Sequence, residues 1–279
     1  MKALFDTASY HCSKIVTKTY STSFSLATKM LAKSIRDDIY NIYGFVRFAD
    51  EIVDSFHDYD KKTLFENFSR DLEDALQNKI SLNPILNSFQ YTYHKYGIDK
   101  HLVDSFMQSM RMDLHKSKYL TEEEFKTYIY GSADVVGLMC LKVFVNGDNT
   151  RYNELKDSAM ALGSAFQKVN FLRDLKADHE GLNRSYFPNT DLNNLDENSK
   201  LDIINDIEAD FAKGLNGIKM LPIEAKFGVF MAYRYYSQLL KKLKKTPALQ
   251  IKHARIRVAN HKKIELLMRS YVKYQLNLM

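Results

Sequence analysis

Residues 39–54 read Ile39-Tyr40-Asn41-Ile42-Tyr43-Gly44-Phe45-Val46-Arg47-Phe48-Ala49-Asp50-Glu51-Ile52-Val53-Asp54. Ile39, Ile42, Phe45, Val46, Ala49 and Val53 recur at helical spacing and predict a helix over 35–57. Tyr43, Arg47, Asp50 and Asp54 stand at offsets of 0, 4, 7 and 11. At about 100° per residue they fall within roughly 60° of one another. A tyrosine, an arginine and two aspartates therefore form one polar stripe beside the apolar face. Taken alone, the stripe reads equally well as a solvated helix face, although such a face usually carries Lys and Glu without Tyr.

A second stripe repeats the pattern. Residues 151–179 are expected to be helical, and Gln167, Asn170, Asp174 and Asp178 stand at offsets of 0, 3, 7 and 11. Ala161, Leu162, Ala165, Phe166, Val169 and Leu172 flank them. Amides and carboxylates at a core border need partners, because burying them unpaired costs several kcal/mol (about 1–3 per group, more when charged). Metal ions supply such partners.

Composition fits a helical scaffold around these stripes. The 279 residues include only 10 Gly and 4 Pro, roughly half the usual share. No Gly-rich nucleotide fingerprint is present, which argues against Rossmann and P-loop folds. The two cysteines, Cys12 and Cys140, form no disulfide framework, and Cys140 is expected to be a small core residue. The N-terminal stretch lacks an apolar signal region, and the longest apolar run, Val135 to Val145, is broken by Lys142. A cytoplasmic protein, soluble or peripheral to the inner face of a membrane, is expected. The net charge of +6 is uneven: nine Lys or Arg and no acid lie between Lys241 and Lys263. That run reads as a solvated face, or as a surface for an anionic ligand, an acidic membrane or nucleic acid.

Further elements follow in order. Ser21-Thr22-Ser23-Phe24-Ser25 is a hydroxyl-rich connection or helix start. Residues 62–78 are amphipathic. Asn83-Pro84 opens a helix that ends at Gly97, and Asp99 opens the next. Asp113 sits near that helix's C-terminal end, where a structural salt bridge is expected. Thr121 with Glu124 predicts a capping box. The following stretch holds Gly131, Ala133 and Gly137, for close helix packing or for a ligand cavity. A long irregular stretch, 179–198, is a lid or a plain connector. An amphipathic surface helix (199–220), an aromatic-rich segment (224–245) and a basic last segment (252–277) complete one domain, 1–279.

The chemistry of the stripes is that of hard cations. Carboxylate and amide oxygens suit Mg²⁺, or Mn²⁺, shared with substrate phosphates. The absence of Cys and His from both stripes argues against zinc. Paired glycosidase carboxylates are an alternative, but flanking Arg, Asn and Gln fit a metal-bridged diphosphate better. A carbocation formed by its departure needs an aromatic, water-excluding wall.

At this point the chain resembles the squalene and phytoene synthase family of head-to-head prenyl condensing enzymes, over nearly its whole length and in motif order. Ser21-Thr22-Ser23-Phe24 resembles the flap region, and Ile42 to Asp54 the first aspartate-rich motif. Tyr130-Gly131 through Val136-Gly137 resembles the Tyr-Gly…Val-Gly motif. Gln167 to Asp178, followed by Arg184 and Tyr186-Phe187, resembles the second aspartate-rich motif. Tyr236 and Arg255-Ile256-Arg257-Val258 resemble C-terminal diphosphate-contacting positions. The resemblance implies an all-α isoprenoid-synthase bundle around a central cavity. It implies a Mg²⁺-dependent reaction in which the cation from one prenyl diphosphate is attacked by the double bond of a second. A cyclopropylcarbinyl diphosphate results, and a second ionisation with rearrangement follows. Asp50, Asp54, Asn170, Asp174 and Asp178 would hold metal. Arg47, Gln167, Asn170, Arg173, Arg184, Tyr186 and Arg255, with Ser21 and Phe24, would hold substrate. Tyr43, Tyr130 and Tyr236 would line the reaction centre. The segment Ile42 to Asp54 looks most like bacterial phytoene synthases, which use two geranylgeranyl diphosphates and no NADPH; dehydrosqualene or squalene from farnesyl diphosphate is the neighbouring reading. A basic helical nucleic-acid- or lipid-binding protein is the reading from another class. The expected partners are prenyl diphosphates and no nucleic acid, with peripheral membrane contact, in a monomer or dimer. Asp134 departs from the family, which has a small residue there.

Overall fold

The computed structural model describes the chain except Ser117, residues 183–185, Asn189, residues 191–194 and residues 276–279. The side chains of 177–182, 260, 261, 264, 272, 273 and 275 also lie outside the described residues. The helices are α1 (Lys2–Tyr20), α2 (Thr22–Lys29), α3 (Lys33–Asp54), α4 (Lys61–Asn78), α5 (Pro84–Tyr96), α6 (Lys100–Asp113) and α7 (Glu122–Ile129). A π-helical turn, Tyr130–Asp134, joins α7 to α8 (Val135–Phe144). Then come α9 (Asn149–Leu182), α10 (Glu197–Met220), α11 (Ile223–Lys245), α12 (Ala248–Ile251) and α13 (Asn260–Gln275). No strand occurs among the described residues, so the all-α expectation holds.

Local chemistry sets the boundaries. Asn83 accepts from the Ile85 amide at 3.0 Å with Pro84 in the first turn, and Gly97 closes α5 at φ 60°. Thr121 accepts from the Glu124 amide at 3.2 Å, while Glu124 Oε2 reaches back to the Leu120 amide at 2.9 Å, one residue before the partner a capping box predicts. Asp196 caps α10 through the Ser199 amide at 2.7 Å. The irregular stretch after α9 is therefore shorter than the sequence suggests. The helix expected over 35–57 also ends earlier, at Asp54.

Two side-chain clusters hold the bundle. In one, Phe45 of α3 is fully buried between Phe89 at 4.0 Å and Phe106 at 5.4 Å. In the other, Tyr128, Phe171 and Tyr186 stack beside Leu172 and Ile207. The long helix α9 runs between the two. Helix α10 is not the surface helix the sequence suggests: Ile204 and Ile207 have no exposure and pack in the second cluster. A Cβ on Gly163 would lie 2.9 Å from the Ala133 carbonyl, so the π turn lies directly on α9. Asp38, buried on α3, is matched by Lys95 Nζ at 2.8 Å, Tyr96 Oη at 2.8 Å and Thr92 Oγ1 at 3.1 Å. That network satisfies a charge whose unpaired burial would cost several kcal/mol (on the order of 3–5). Asp113 accepts from the Tyr128 hydroxyl at 2.8 Å and from the Tyr119 hydroxyl at 3.4 Å.

Candidate active site: two aspartate helices around a vestibule

The C-terminal half of α3 and the middle of α9 face a polar vestibule of about 380 Å³. From α3 come Tyr43, Arg47, Asp50 and Asp54; from α9 come Gln167, Asn170, Arg173 and Asp174; Phe24, Tyr128, Phe171 and Tyr186 complete the wall. The two stripes read from the sequence thus meet across one space. A second, apolar cavity of about 240 Å³ continues toward the far end of the bundle. Its wall includes Leu31, Ile39, Phe144, Leu155, Ala159 and Leu221. Both spaces share Phe24, Ser132, Val136, Cys140 and Gln167, which form a waist between polar and apolar halves. Gly137 and Gly163 line the apolar half, and both leave room only for backbone against the neighbouring helix. The small residues therefore serve packing and cavity together.

Charge in the vestibule is dense and matched. Arg47 donates to Asp50 Oδ2 at 2.5 Å and also to Glu51. Its guanidinium lies 4.3 Å from the centre of the Tyr20 ring. Asp174 takes Arg173 Nε at 2.9 Å and Arg255 Nε at 2.7 Å. Burial, and then the neighbouring charge of Asp54, raise the pKa of Asp50 against the pull of Arg47. Burial likewise raises Tyr43, to about 12, so it remains a neutral phenol. Tyr43 stacks on Phe24 at 4.7 Å and shares a hydrogen bond with Ser21, which also caps α2 through the Phe24 amide at 3.2 Å. Tyr236 stacks on Phe166 at 4.2 Å and donates to Asn170 Oδ1 at 3.3 Å.

The donor set fits a divalent cation. Asp50, Asp54, Asn170 and Asp174 line one vestibule and no histidine does among the described residues, although no three acidic, His or Cys side chains among those residues are gathered into a ready-made metal cage. Burial pushes the Cys140 thiol up to about 12, so it is no thiolate ligand. The raised pKa of Asp50 shows that the folded chain penalises its negative charge, which a cation would offset.

Not every expected residue arrives here. The Tyr130 hydroxyl turns to His101 Nε2 at 3.3 Å, and Tyr130 is not among the vestibule residues. Tyr128, two residues earlier in α7, stands there instead, on the opposite side of the helix from Tyr130 at about 100° per residue. The side chain of Asp178 and the whole of Arg184 lie outside the described residues. The sequence did not point to Tyr20, Tyr128 or Ser132. Tyr20 sits just before the hydroxyl-rich elbow, a position that could have marked it. Part of the basic run 241–263 is tied to the fold: Arg255 pairs with Asp174, Lys244 with Glu208, and Lys242 with the Arg257 carbonyl.

The family model for squalene/phytoene synthase matches residues 17–262. Phytoene synthase 2 of Zea mays is 32% identical over 57% of this chain and 40% of its own length. Phytoene synthase of Arthrospira platensis is 30% identical over 66% of this chain and 62% of its own. The chain thus spans between about two-fifths and three-fifths of these relatives. A dehydrosqualene synthase crystal structure superposes with a TM-score of 0.80 at 18% identity, covering 97% of this chain and 98% of that one. Squalene synthase HpnC of Alicyclobacillus acidocaldarius gives 0.74 at 20% identity, over 85% and 94%. These two likenesses bear on fold alone. The chain belongs to the squalene/phytoene synthase family.

Proposed function

We propose that the protein is a phytoene synthase, condensing two geranylgeranyl diphosphates head to head through a cyclopropylcarbinyl diphosphate. The observation that carries this reading is the pair of aspartate helices facing one vestibule that opens into an apolar cavity. Asp50, Asp54, Asn170 and Asp174, with Asp178, would hold Mg²⁺, or Mn²⁺. When bound, the cation neutralises the leaving diphosphate. Arg47, Arg173 and Arg255 bind and orient the diphosphate by charge-assisted hydrogen bonds. Phe24, Phe166, Phe171 and Tyr43 exclude water from the allylic carbons, and their ring faces favour positive charge. Tyr43, held neutral, offers a hydroxyl donor where the diphosphate leaves.

The apolar cavity takes the prenyl tail. From Gln167 at the waist to Leu155 on its wall, α9 advances about 18 Å at 1.5 Å per residue. The phytoene synthase names among the sequence relatives favour the geranylgeranyl substrate. The fold likeness to dehydrosqualene and squalene synthases supports a second reading, with two farnesyl diphosphates. Incubating the full chain with each diphosphate and Mg²⁺, with and without NADPH, separates the two. Phytoene formed without NADPH is expected. Hydrocarbon from farnesyl diphosphate alone would overturn the choice of substrate, and no hydrocarbon from either would overturn the whole reading.

A further inference from the structure

Ser132 stands in the middle of the π turn, and its Oγ is buried with no hydrogen-bond partner among the described residues. Two neighbours hold the turn in place. Gly131 lies against α6, where a Cβ would come within 2.0 Å of Ser109 Oγ and 2.7 Å of the Ser105 carbonyl. Asp134, buried, accepts the Ser164 hydroxyl of α9 at 2.7 Å. The wider π turn rotates the chain so that Ser132 reaches the waist, beside Phe24, Val136, Cys140 and Gln167. A buried hydroxyl left unpaired costs about 1–3 kcal/mol. Its position lies on the boundary between the charged vestibule and the apolar cavity. An amphiphile filling both spaces places one kind of atom at that boundary: the atom that joins its anionic head to its apolar tail.

We propose that Ser132 is a substrate-binding residue that donates its hydroxyl proton to the ester oxygen joining diphosphate to prenyl carbon, setting the depth at which the tail enters the cavity. The inference rests on the prenyl diphosphate reading above. On ionisation the carbon–oxygen bond breaks, the electron pair stays on that oxygen, and the tail remains as an allylic cation. The Ser132 hydrogen bond strengthens as charge builds on the oxygen, so it favours the transition state over the ground state.

The test uses two unreactive probes with the full chain and Mg²⁺: dodecyl diphosphate, and its phosphonophosphate analogue with CH₂ in place of the ester oxygen. Titration calorimetry gives a Kd for each with the wild-type chain, Ser132→Ala and Ser132→Cys. The wild type is expected to prefer the oxygen ester by about 3- to 10-fold, the range of one net hydrogen bond. Ser132→Ala should remove the preference by weakening only the ester. Ser132→Cys, similar in size but a poor donor, should behave like Ser132→Ala. Melting temperatures of the ligand-free chains should not fall, and that of Ser132→Ala should rise, since the hydroxyl has no partner to lose and its unpaired burial is relieved. An ester preference that survives in Ser132→Ala overturns the proposal, as does an equal loss of affinity for both probes. If the wild type binds neither probe, the functional reading fails and this proposal with it.

Discussion

Replacing Asp134 by Asn isolates one buried charge. Burial pushes the Asp134 carboxyl up from 3.8 to about 7, with the nearby Asp210 raising it further, while the Ser164 hydroxyl and Lys168 pull the other way. Between pH 4 and 7 the folded chain holds a proton there that the unfolded chain has released. Stability therefore falls as pH rises through that window, and levels off above it. At about 1.4 kcal/mol per pH unit, the move from 3.8 to 7 corresponds to about 4 kcal/mol. Relaxation around the charged form brings the expectation to roughly 2–4 kcal/mol. Asn accepts the same Ser164 hydrogen bond without a charge. Asp134→Asn should exceed the wild type by about 1.5 kcal/mol at pH 5 and by roughly 2–4 kcal/mol at pH 8.5. Urea unfolding followed by circular dichroism at pH 5, 7 and 8.5 measures both. A variant destabilised equally at every pH would refute the reasoning, because it would make Asp134 a needed ionic partner instead of a strained charge.

Three further outcomes are expected. Asp50→Asn and Asp174→Asn should each lower turnover by about 10³-fold or more, the scale of losing one charge-stabilising group, with melting temperature retained; full activity in either would remove the vestibule from the chemistry. Ala159→Leu narrows the apolar cavity about 12 Å along α9 from Gln167, so steady-state assays should show geranylgeranyl turnover falling more than farnesyl turnover. Gly131→Ala forces a methyl against Ser109 and the Ser105 carbonyl, and calorimetry should report a loss of about 1–3 kcal/mol, with Ser109→Ala giving only partial relief because the carbonyl remains.

The bundle and both jaws were legible because their signals are periodic. Asp50 and Asp54, and likewise Gln167, Asn170 and Asp174, fall on stripes fixed by helical geometry, and those helices formed where expected. Tyr130 and Tyr128 show where a motif resemblance can be out of register: the two lie two residues apart on opposite sides of the helical path, and Tyr128 is the one that lines the vestibule. The core role of α10 was hidden for another reason. Its Gly214 and Gly217 meet Leu162 and Ser158 through missing side chains, and an absent Cβ weakens an amphipathic pattern. The Tyr20 ring over Arg47 depends on how α1 bends into α2, an angle that neither helix encodes alone.

Two long-range polar ties, one at the vestibule and one beside its hydroxyl-rich elbow, say when the C-terminal segment can dock. Arg255 reaches Asp174 across 81 residues, and Lys263 Nζ reaches Thr22 Oγ1 at 3.3 Å across 241. A chain emerging from the ribosome can pack α1 to α6 through local contacts, then lay α9 and α10 against them. Neither tie can form until residues beyond 250 have left the exit tunnel. During synthesis both acidic helices therefore emerge before the arginine that reaches Asp174 from the C-terminal segment. Fastening the second jaw to the C-terminal segment is thus a late step in folding.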